Sequence, residues 1–401
     1  MALVVMKFGG SSVANRERIQ NVARIIVGCA REGNSVVAVV SAQGDTTDDL
    51  IAKAGELTSH ASKREMDMLL ATGEQASAAL MSMAINELGA SAIALTGRQA
   101  GFFTSSVHGS ARIKRLDTER VLSELDNNKI VVVAGFQGID GSDDITTLGR
   151  GGSDTSAVAL AAALHADRCK IYTDVDGVYT ADPRKIKNAR KLDEISFDEM
   201  LEMARLGAQV LLSRSVELAK KYHVEIEVLS SMTGNPGTIV KENVKVEGTL
   251  IRGVTKDTSY ASISVISLPD RTGMAFKIFS LLGSRNIGVD FILQSVERNG
   301  ARDITFNVAE SDLEGALELL KQNRDAIGFE SIEVDNDVAK VSIVGAGIKS
   351  NADVASRMFG ALSDAGINIR MITSSEIQLS VIVSRKDADR AVEAVHEEFF
   401  K

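Results

Sequence analysis

Through the first 230 residues, short runs of apolar, largely β-branched residues alternate with longer stretches whose apolar positions recur every three or four residues. The runs are Leu3 to Phe8, Val36 to Val40, Ile93 to Leu95, Ile130 to Ala134 and Arg168 to Tyr172. Their length and composition predict buried strands. The clearest helix between them carries Ile19, Val22, Ile26 and Cys29/Ala30 on one face, with Gly33 placed to end it. Strand, helix, strand is βαβ grammar, so the region is expected to be α/β, with a mainly parallel sheet covered on both faces in a three-layer sandwich.

The pattern changes after Thr233-Gly234-Asn235-Pro236-Gly237, where a polar stretch from Lys241 to Gly248 follows. Beyond it the chain repeats itself. A gapless shift of 80 residues matches Ile263 with Ile343, Phe279 with Phe359, Leu282 with Leu362, Ile287 with Ile367 and Ile292 with Ile372. The first copy reads as strand Ser262–Ser267, helix Met274–Ser284, strands Val289–Gln294 and Asp303–Val308, and helix Leu313–Gln322. Two ferredoxin-like βαββαβ units are therefore expected. The boundaries follow: a catalytic-type domain over 1–235, a linker over 236–248, a first repeat over 249–334 whose leading strand is open to the second, and a second repeat over 335–401.

Composition narrows the class. The 401 residues are 44% hydrophobic and 25% charged, enough to bury a core and too apolar for disorder. A net charge of −9 with 4% aromatics and no Trp argues against a nucleic-acid partner. Apolar runs such as Ile130 to Ala134 fall far short of the roughly 20 residues of a membrane helix, and no basic-then-apolar leader opens the chain, so no membrane partner and a cytoplasmic location are expected. Cys29 and Cys169 show no pairing pattern, and the five histidines are scattered, so no metal site is expected.

Glycine, hydroxyl and charged residues gather where strands end. Lys7-Phe8-Gly9-Gly10-Ser11-Ser12 sets a cation beside two glycines and hydroxyls, which suits a phosphate, although a tight turn alone could need the glycines. Leu148-Gly149-Arg150-Gly151-Gly152-Ser153-Asp154 opens an alanine-rich helix and fixes a cation and a carboxylate close together. A helix cap would explain Ser153 or Asp154 but not Arg150. Ser41 to Asp48 also follows a strand, where turn chemistry alone is the alternative. Gly73-Glu74 puts a carboxylate in an apolar helical region, where a solvated face is the default. Tyr172 to Arg184 contains an Asp-Gly turn and lacks the remaining ligands of a calcium loop. Loops at strand-to-helix junctions share the C-terminal edge of a parallel sheet, where open α/β folds bind ligands.

Taken together, these five stretches resemble the aspartate kinases of the amino acid kinase family. The C-terminal repeats resemble that family's tandem ACT domains, with Asp270-Arg271-Thr272-Gly273-Met274 and Ile367-Asn368-Ile369-Arg370-Met371-Ile372 as signatures. The resemblance spans the whole chain and implies an amino acid kinase-like fold, ATP as co-substrate, Mg²⁺ carried mainly by its phosphates, and L-aspartate as acceptor. It implies that Lys7 and Asp154 are catalytic, with Lys7 on the transferring phosphate and Asp154 holding it. Gly9, Gly10 and Ser11 would meet phosphates, and Thr173, Asp174, Tyr179 and Arg184 would complete the nucleotide site. Ser41, Thr47, Glu74, Arg150 and Ser153 would bind aspartate, Arg150 through its α-carboxylate and Glu74 through its ammonium. An acceptor carboxylate titrates near ~4 and is already ionised at neutral pH, so no general base is required. A non-catalytic amino acid sensor, or another amino acid kinase such as a glutamate kinase, would be the competing readings.

The resemblance also implies feedback by lysine, threonine or both, with effector contacts at Asp270, Asp290 and Gln294 in the first ACT unit and Asn368, Ile369, Ser374 and Glu376 in the second. A homo-oligomer through the ACT domains is expected, or pairing with a shorter subunit from an internal start, although no Met lies between Met232 and Met274 to mark one. Three departures stand out: Gln209 where many members carry lysine near the nucleotide, Leu212-Ser213 in place of a common His-Pro, and Thr272 where ACT signatures usually have proline.

Overall fold

The computed structural model describes residues 2–208, 210–244, 251–298, 300–348, 351 and 353–401. Gln209 and the end of the expected linker, 245–248, lie outside the described residues, as do 249 and 250. The chain divides into two compact units, Met1–Tyr179 with Arg190–Glu247, and Thr180–Ala189 with Gly248–Lys401.

In the first unit an eight-stranded sheet runs, from edge to edge, Glu194–Ser196, Thr238–Lys241, Ile226–Ser230, Arg168–Thr173, Leu3–Phe8, Ser35–Val40, Ile130–Ala134, Ala92–Leu95. Every pairing is parallel except that of Ile226–Ser230 with Thr238–Lys241. The opening strand is central, with Lys7 in register between Val39 and Ile171. Period-two alternation splits its side chains. Val4, Met6 and Phe8 bury against Ile19, Val22 and Ile26 of helix Arg16–Arg31 and against Met81 and Ile85 of helix Lys63–Glu87. Val5 and Lys7 take the opposite face, covered by helix Gly152–Ala163. A small sheet, Ile113–Leu116, Phe102–Thr104, Gln137–Ile139 and Ile145–Thr147 in that order, carries the chain toward that helix.

The second unit holds two antiparallel four-stranded sheets. One is Val289–Gln294, Ala301–Ala309, Tyr260–Pro269 and Ser331–Asp335, backed by a core of Ile263, Phe306, Ile278 and Leu320. The other is Gly253–Asp257, Ala339–Val344, Gln378–Val383 and Met371–Ser374. The strand Gly253–Asp257, ahead of the first repeat in sequence, pairs antiparallel with Ala339–Val344 of the second. Val254 packs in the core of the second repeat. Most matched positions of the repeat are core residues, but Ile292 and Ile372 sit 57% and 53% exposed on corresponding edge strands.

One segment within the expected 1–235 domain packs with the other unit. The segment Thr180–Ala189 was expected to lie inside a domain running from 1 to 235, and it clusters instead with the C-terminal unit. Ala181 and Ile186 bury in the core of the second repeat. Val254 N donates to Thr180 O at 2.7 Å, and Thr180 Oγ1 lies 2.9 Å from His396 Nε2. Among the described residues no helix is long and apolar enough to cross a membrane.

Truncating Ile186 to Ala should cost about 2–5 kcal/mol of local stability, as Ile-to-Ala changes in cores do. Hydrogen exchange should then show lost protection in helix Ala388–Phe400 with strand Leu3–Phe8 unaffected. Loss confined to the Leu3–Phe8 sheet would contradict the assignment.

Candidate active site

Lys7, next to last in strand Leu3–Phe8, faces a helix start, and its Nζ lies 2.6 Å from Asp154 Oδ1, with side-chain exposures of only 11% and 10%. Two buried opposite charges hold each other in a fixed place, and neither is left without a counter-charge. The chain then turns at Gly9 and Gly10. A Cβ at Gly10 would stand 2.7 Å from the carbonyl oxygen of Ala42, so the absence of a side chain lets the Ser41–Gly44 loop close in, and Gly44 N donates to Gly10 O at 3.1 Å.

Asp154 is delivered by the glycine turn. Gly151 caps helix Gly152–Ala163 with φ +64°, in the left-handed region, and a Cβ there would meet the Leu212 side chain. Neither Ser153 nor Asp154 serves as the side-chain cap, which frees Asp154 for Lys7. Arg214 braces the turn from outside, donating to Leu148 O and Ala111 O at 2.8 Å each.

Glu74 is not on a solvated face. It is 4% exposed, its Oε1 accepts from Ala42 N at 3.0 Å, and its Oε2 is buried without a hydrogen-bond partner. Burial pushes its carboxyl up to about 7, against a smaller pull from the Ala42 amide. A buried acceptor that still lacks a donor is a place for a ligand cation.

Lys7, Ser41, Thr47, Glu74, Arg150 and Ser153 line one cavity of about 650 Å³, with Gly10 beside them. Sequence-distant stretches thus converge, with cations and an unpartnered carboxylate facing one space.

The remaining expected nucleotide residues do not line that cavity. Gly9 adjoins it through Lys7, since a Cβ there would lie 3.4 Å from Nζ, and the Ser11 carbonyl accepts from Arg18. Thr173 Oγ1 donates to Asp174 Oδ1 at 2.9 Å, and the Tyr179 hydroxyl donates to Asp176 at 2.7 Å, which also meets Asn235. Arg184 belongs to the segment that joins the C-terminal unit and pairs there with Asp182 at 3.0 Å. The chain changes units between Tyr179 and Thr180.

The expected effector residues are spread over the two ACT-like sheets. Asp270 pairs with Arg302 at 2.7 Å and Asp290 with the buried Lys340 at 2.6 Å. Gln294 and Ser374 end exposed edge strands, Asn368 and Glu376 are exposed, and Ile369 packs against the second core. A cavity of about 260 Å³ in this unit is lined by Ser262, Ser264, Thr305, Glu333 and Arg370, among others, and by none of the seven.

Sequence reasoning missed Asp67, Lys63, His108 and Phe136, all of which line the larger cavity. Asp67 had a signal: it stands seven residues before Glu74, two turns back on the same helical face. His108 and Phe136 come from loops with no such period.

Comparison with known proteins identifies the family of both units. Residues 2–230 match the amino acid kinase family, and residues 261–325 and 341–399 each match an ACT domain. The aspartokinase of Mycolicibacterium smegmatis is 50% identical over 405 residues, covering 100% of this chain and 96% of that protein. Aspartokinase 2 of Bacillus subtilis is 48% identical over 400 residues, covering 100% and 98%. The crystal structure of E. coli aspartokinase III in complex with aspartate and ADP superposes with a TM-score of 0.86 at 27% identity, covering 100% of both chains. With likeness of this extent across both units, the chain belongs to the amino acid kinase family and within it to the aspartokinases, ATP-dependent kinases that phosphorylate a carboxyl group.

Proposed function

We propose that the chain transfers the γ-phosphoryl group of MgATP to the β-carboxylate of L-aspartate, giving 4-phospho-L-aspartate and ADP, the first step toward lysine, threonine and methionine. The observation that carries this reading is the unpartnered Glu74 Oε2 in one cavity with Lys7 and Arg150. An α-amino dicarboxylate has the complementary charges. Its ammonium meets Glu74, its α-carboxylate pairs bidentately with the Arg150 guanidinium, and Ser41, Thr47 and Ser153 offer hydroxyls around it. The β-carboxylate is then left to face Lys7. Further support comes from E. coli aspartokinase III, crystallised with aspartate and ADP and also with lysine and aspartate.

The chemistry asks little of acid–base groups. An ionised carboxylate oxygen attacks the γ-phosphorus, a new O–P bond forms, and the bond to the β,γ-bridging oxygen breaks with its electron pair leaving on ADP. No proton moves. What the protein supplies is position and charge: Lys7, held by Asp154, balances the phosphoryl oxygens, while Gly9, Gly10 and Ser11 are proposed to offer backbone and hydroxyl groups to phosphates. Thr173, Asp174, Tyr179 and Arg184 are proposed for the nucleotide. Mg²⁺ enters as part of the MgATP substrate.

Feedback by lysine, threonine or both belongs to the same proposal, acting at Asp270, Asp290, Gln294, Asn368, Ile369, Ser374 and Glu376. Assembly would be a homo-oligomer through the ACT units, or pairing with a shorter subunit. In coupled assays ADP release should depend on aspartate, not on glutamate or N-acetylglutamate, and should be suppressed by lysine, threonine or the two together. Absence of aspartate-dependent release would overturn the reading.

Glu74 gives a pH dependence with a definite sign. With its carboxyl near 7, it is neutral below that pH and accepts an ammonium best above it. The KM for aspartate should therefore fall as pH rises from 6 to 8. Other ionisable groups line the cavity, among them Asp48, Lys63, Asp67 and His108, so the control is Glu74→Gln. That variant should raise the KM by about tenfold or more and flatten its pH profile. An identical profile in the variant would remove Glu74 from ammonium binding.

A further inference from the structure

Asp67 is 1% exposed, in a helix whose core-facing neighbours are mostly small or apolar, and it is not spare. Its Oδ1 accepts from Thr147 Oγ1 at 2.5 Å and from Gly109 N at 3.0 Å. Its Oδ2 accepts from Thr147 N and Gly109 N at 3.0 Å each and lies 3.0 Å from His108 Nδ1. One carboxylate thus ties helix Lys63–Glu87 to the 108–109 loop and to the end of strand Ile145–Thr147.

Those attachments bracket the proposed aspartate site. Thr147 stands three residues before Arg150, and Glu74 stands two turns along the helix from Asp67. The 109 loop also touches the glycine turn, since a Cβ on Gly149 would lie 3.1 Å from Gly109 O, and Ala111 N donates to Thr147 O at 2.8 Å. No covalent path shorter than 76 residues joins Glu74 to Arg150. We infer that Asp67 is a positioning residue for substrate specificity: by clamping Thr147 and Gly109 to the Glu74 helix, it sets the distance between the groups that take the ammonium and the α-carboxylate of the acceptor. The inference rests on the aspartate-binding roles proposed above for Glu74 and Arg150. Lys7 lies on a strand that the clamp does not touch, and Asp154 lies inside helix Gly152–Ala163, past the turn that carries Arg150, so the clamp bears first on the Arg150 end.

Asp67→Asn keeps the size of the side chain but turns an amide N–H toward groups that themselves donate, leaving some of them unpaired. Its KM for aspartate should rise about tenfold or more, with the KM for ATP within about twofold of the unaltered chain. The milder Thr147→Val should move the same parameter in the same direction, and the double variant should add little to Asp67→Asn alone. Amide exchange at Thr147 and Gly149–Gly152 in the ligand-free Asp67→Asn protein should accelerate, a readout that does not depend on turnover.

Equal losses in both KM values and kcat would make Asp67 a general stabiliser and overturn the inference, as would unchanged exchange at the turn. Should Asp67→Asn fail to fold, Thr147→Val decides, and an unchanged KM for aspartate there overturns it. Lack of aspartate saturation in the unaltered chain would instead strike the substrate reading itself.

Discussion

A lysine cannot be buried beside a parallel sheet unless a counter-charge arrives at the same place, and here Asp154 supplies it from the first turn of another element. Removing one member of such a pair leaves an uncompensated buried charge, at a cost of about 3–5 kcal/mol. The glycine turn before Asp154 has to take a left-handed conformation at Gly151 to bring the carboxylate in, and that same turn projects Arg150 into the cavity. The Ser41–Gly44 loop packs against the backbone just after the lysine's strand because Gly10 has no side chain. One electrostatic requirement therefore fixes two loops and a helix start.

The site separates charge along its length. Lys7 with Asp154 forms one end, where a phosphoryl group carrying several negative oxygens gains most from a fixed cation. Glu74 forms another, and there the protein accepts the cost of burying a carboxylate whose second oxygen has no protein donor. That cost appears as a carboxyl raised toward neutrality, which the proposed ligand ammonium would relieve. On the proposed roles, the arrangement would favour a substrate carrying both signs of charge over a simple dicarboxylate.

Much of this was legible from residue order. Short β-branched runs and a period-3.6 pattern located the central strands and the helix Arg16–Arg31 because those elements bury one or both faces. The gapless repeat located the paired ACT units because corresponding core positions such as Ile263 and Ile343 carry the same side chain. Lys7, Arg150 and Asp154 stood out because charges beside glycines at strand ends seldom serve packing. Other features were hidden for physical reasons. The crossing of Thr180–Ala189 to the other unit depends on Ala181 and Ile186 finding a core formed much later in the chain. The burial of Asp67 depends on donors 41 to 80 residues away, which no local pattern records. The pairing of Gly253–Asp257 with the more distant repeat depends on Ala339–Val344, a partner far along the chain.

The most direct test of the central pair is phosphoryl transfer by Lys7→Ala, with circular dichroism confirming a native fold. Loss of a fixed charge-stabilising donor should lower kcat by on the order of 10² or more while the KM for aspartate changes far less. A kcat equal to that of the unaltered chain would contradict the account.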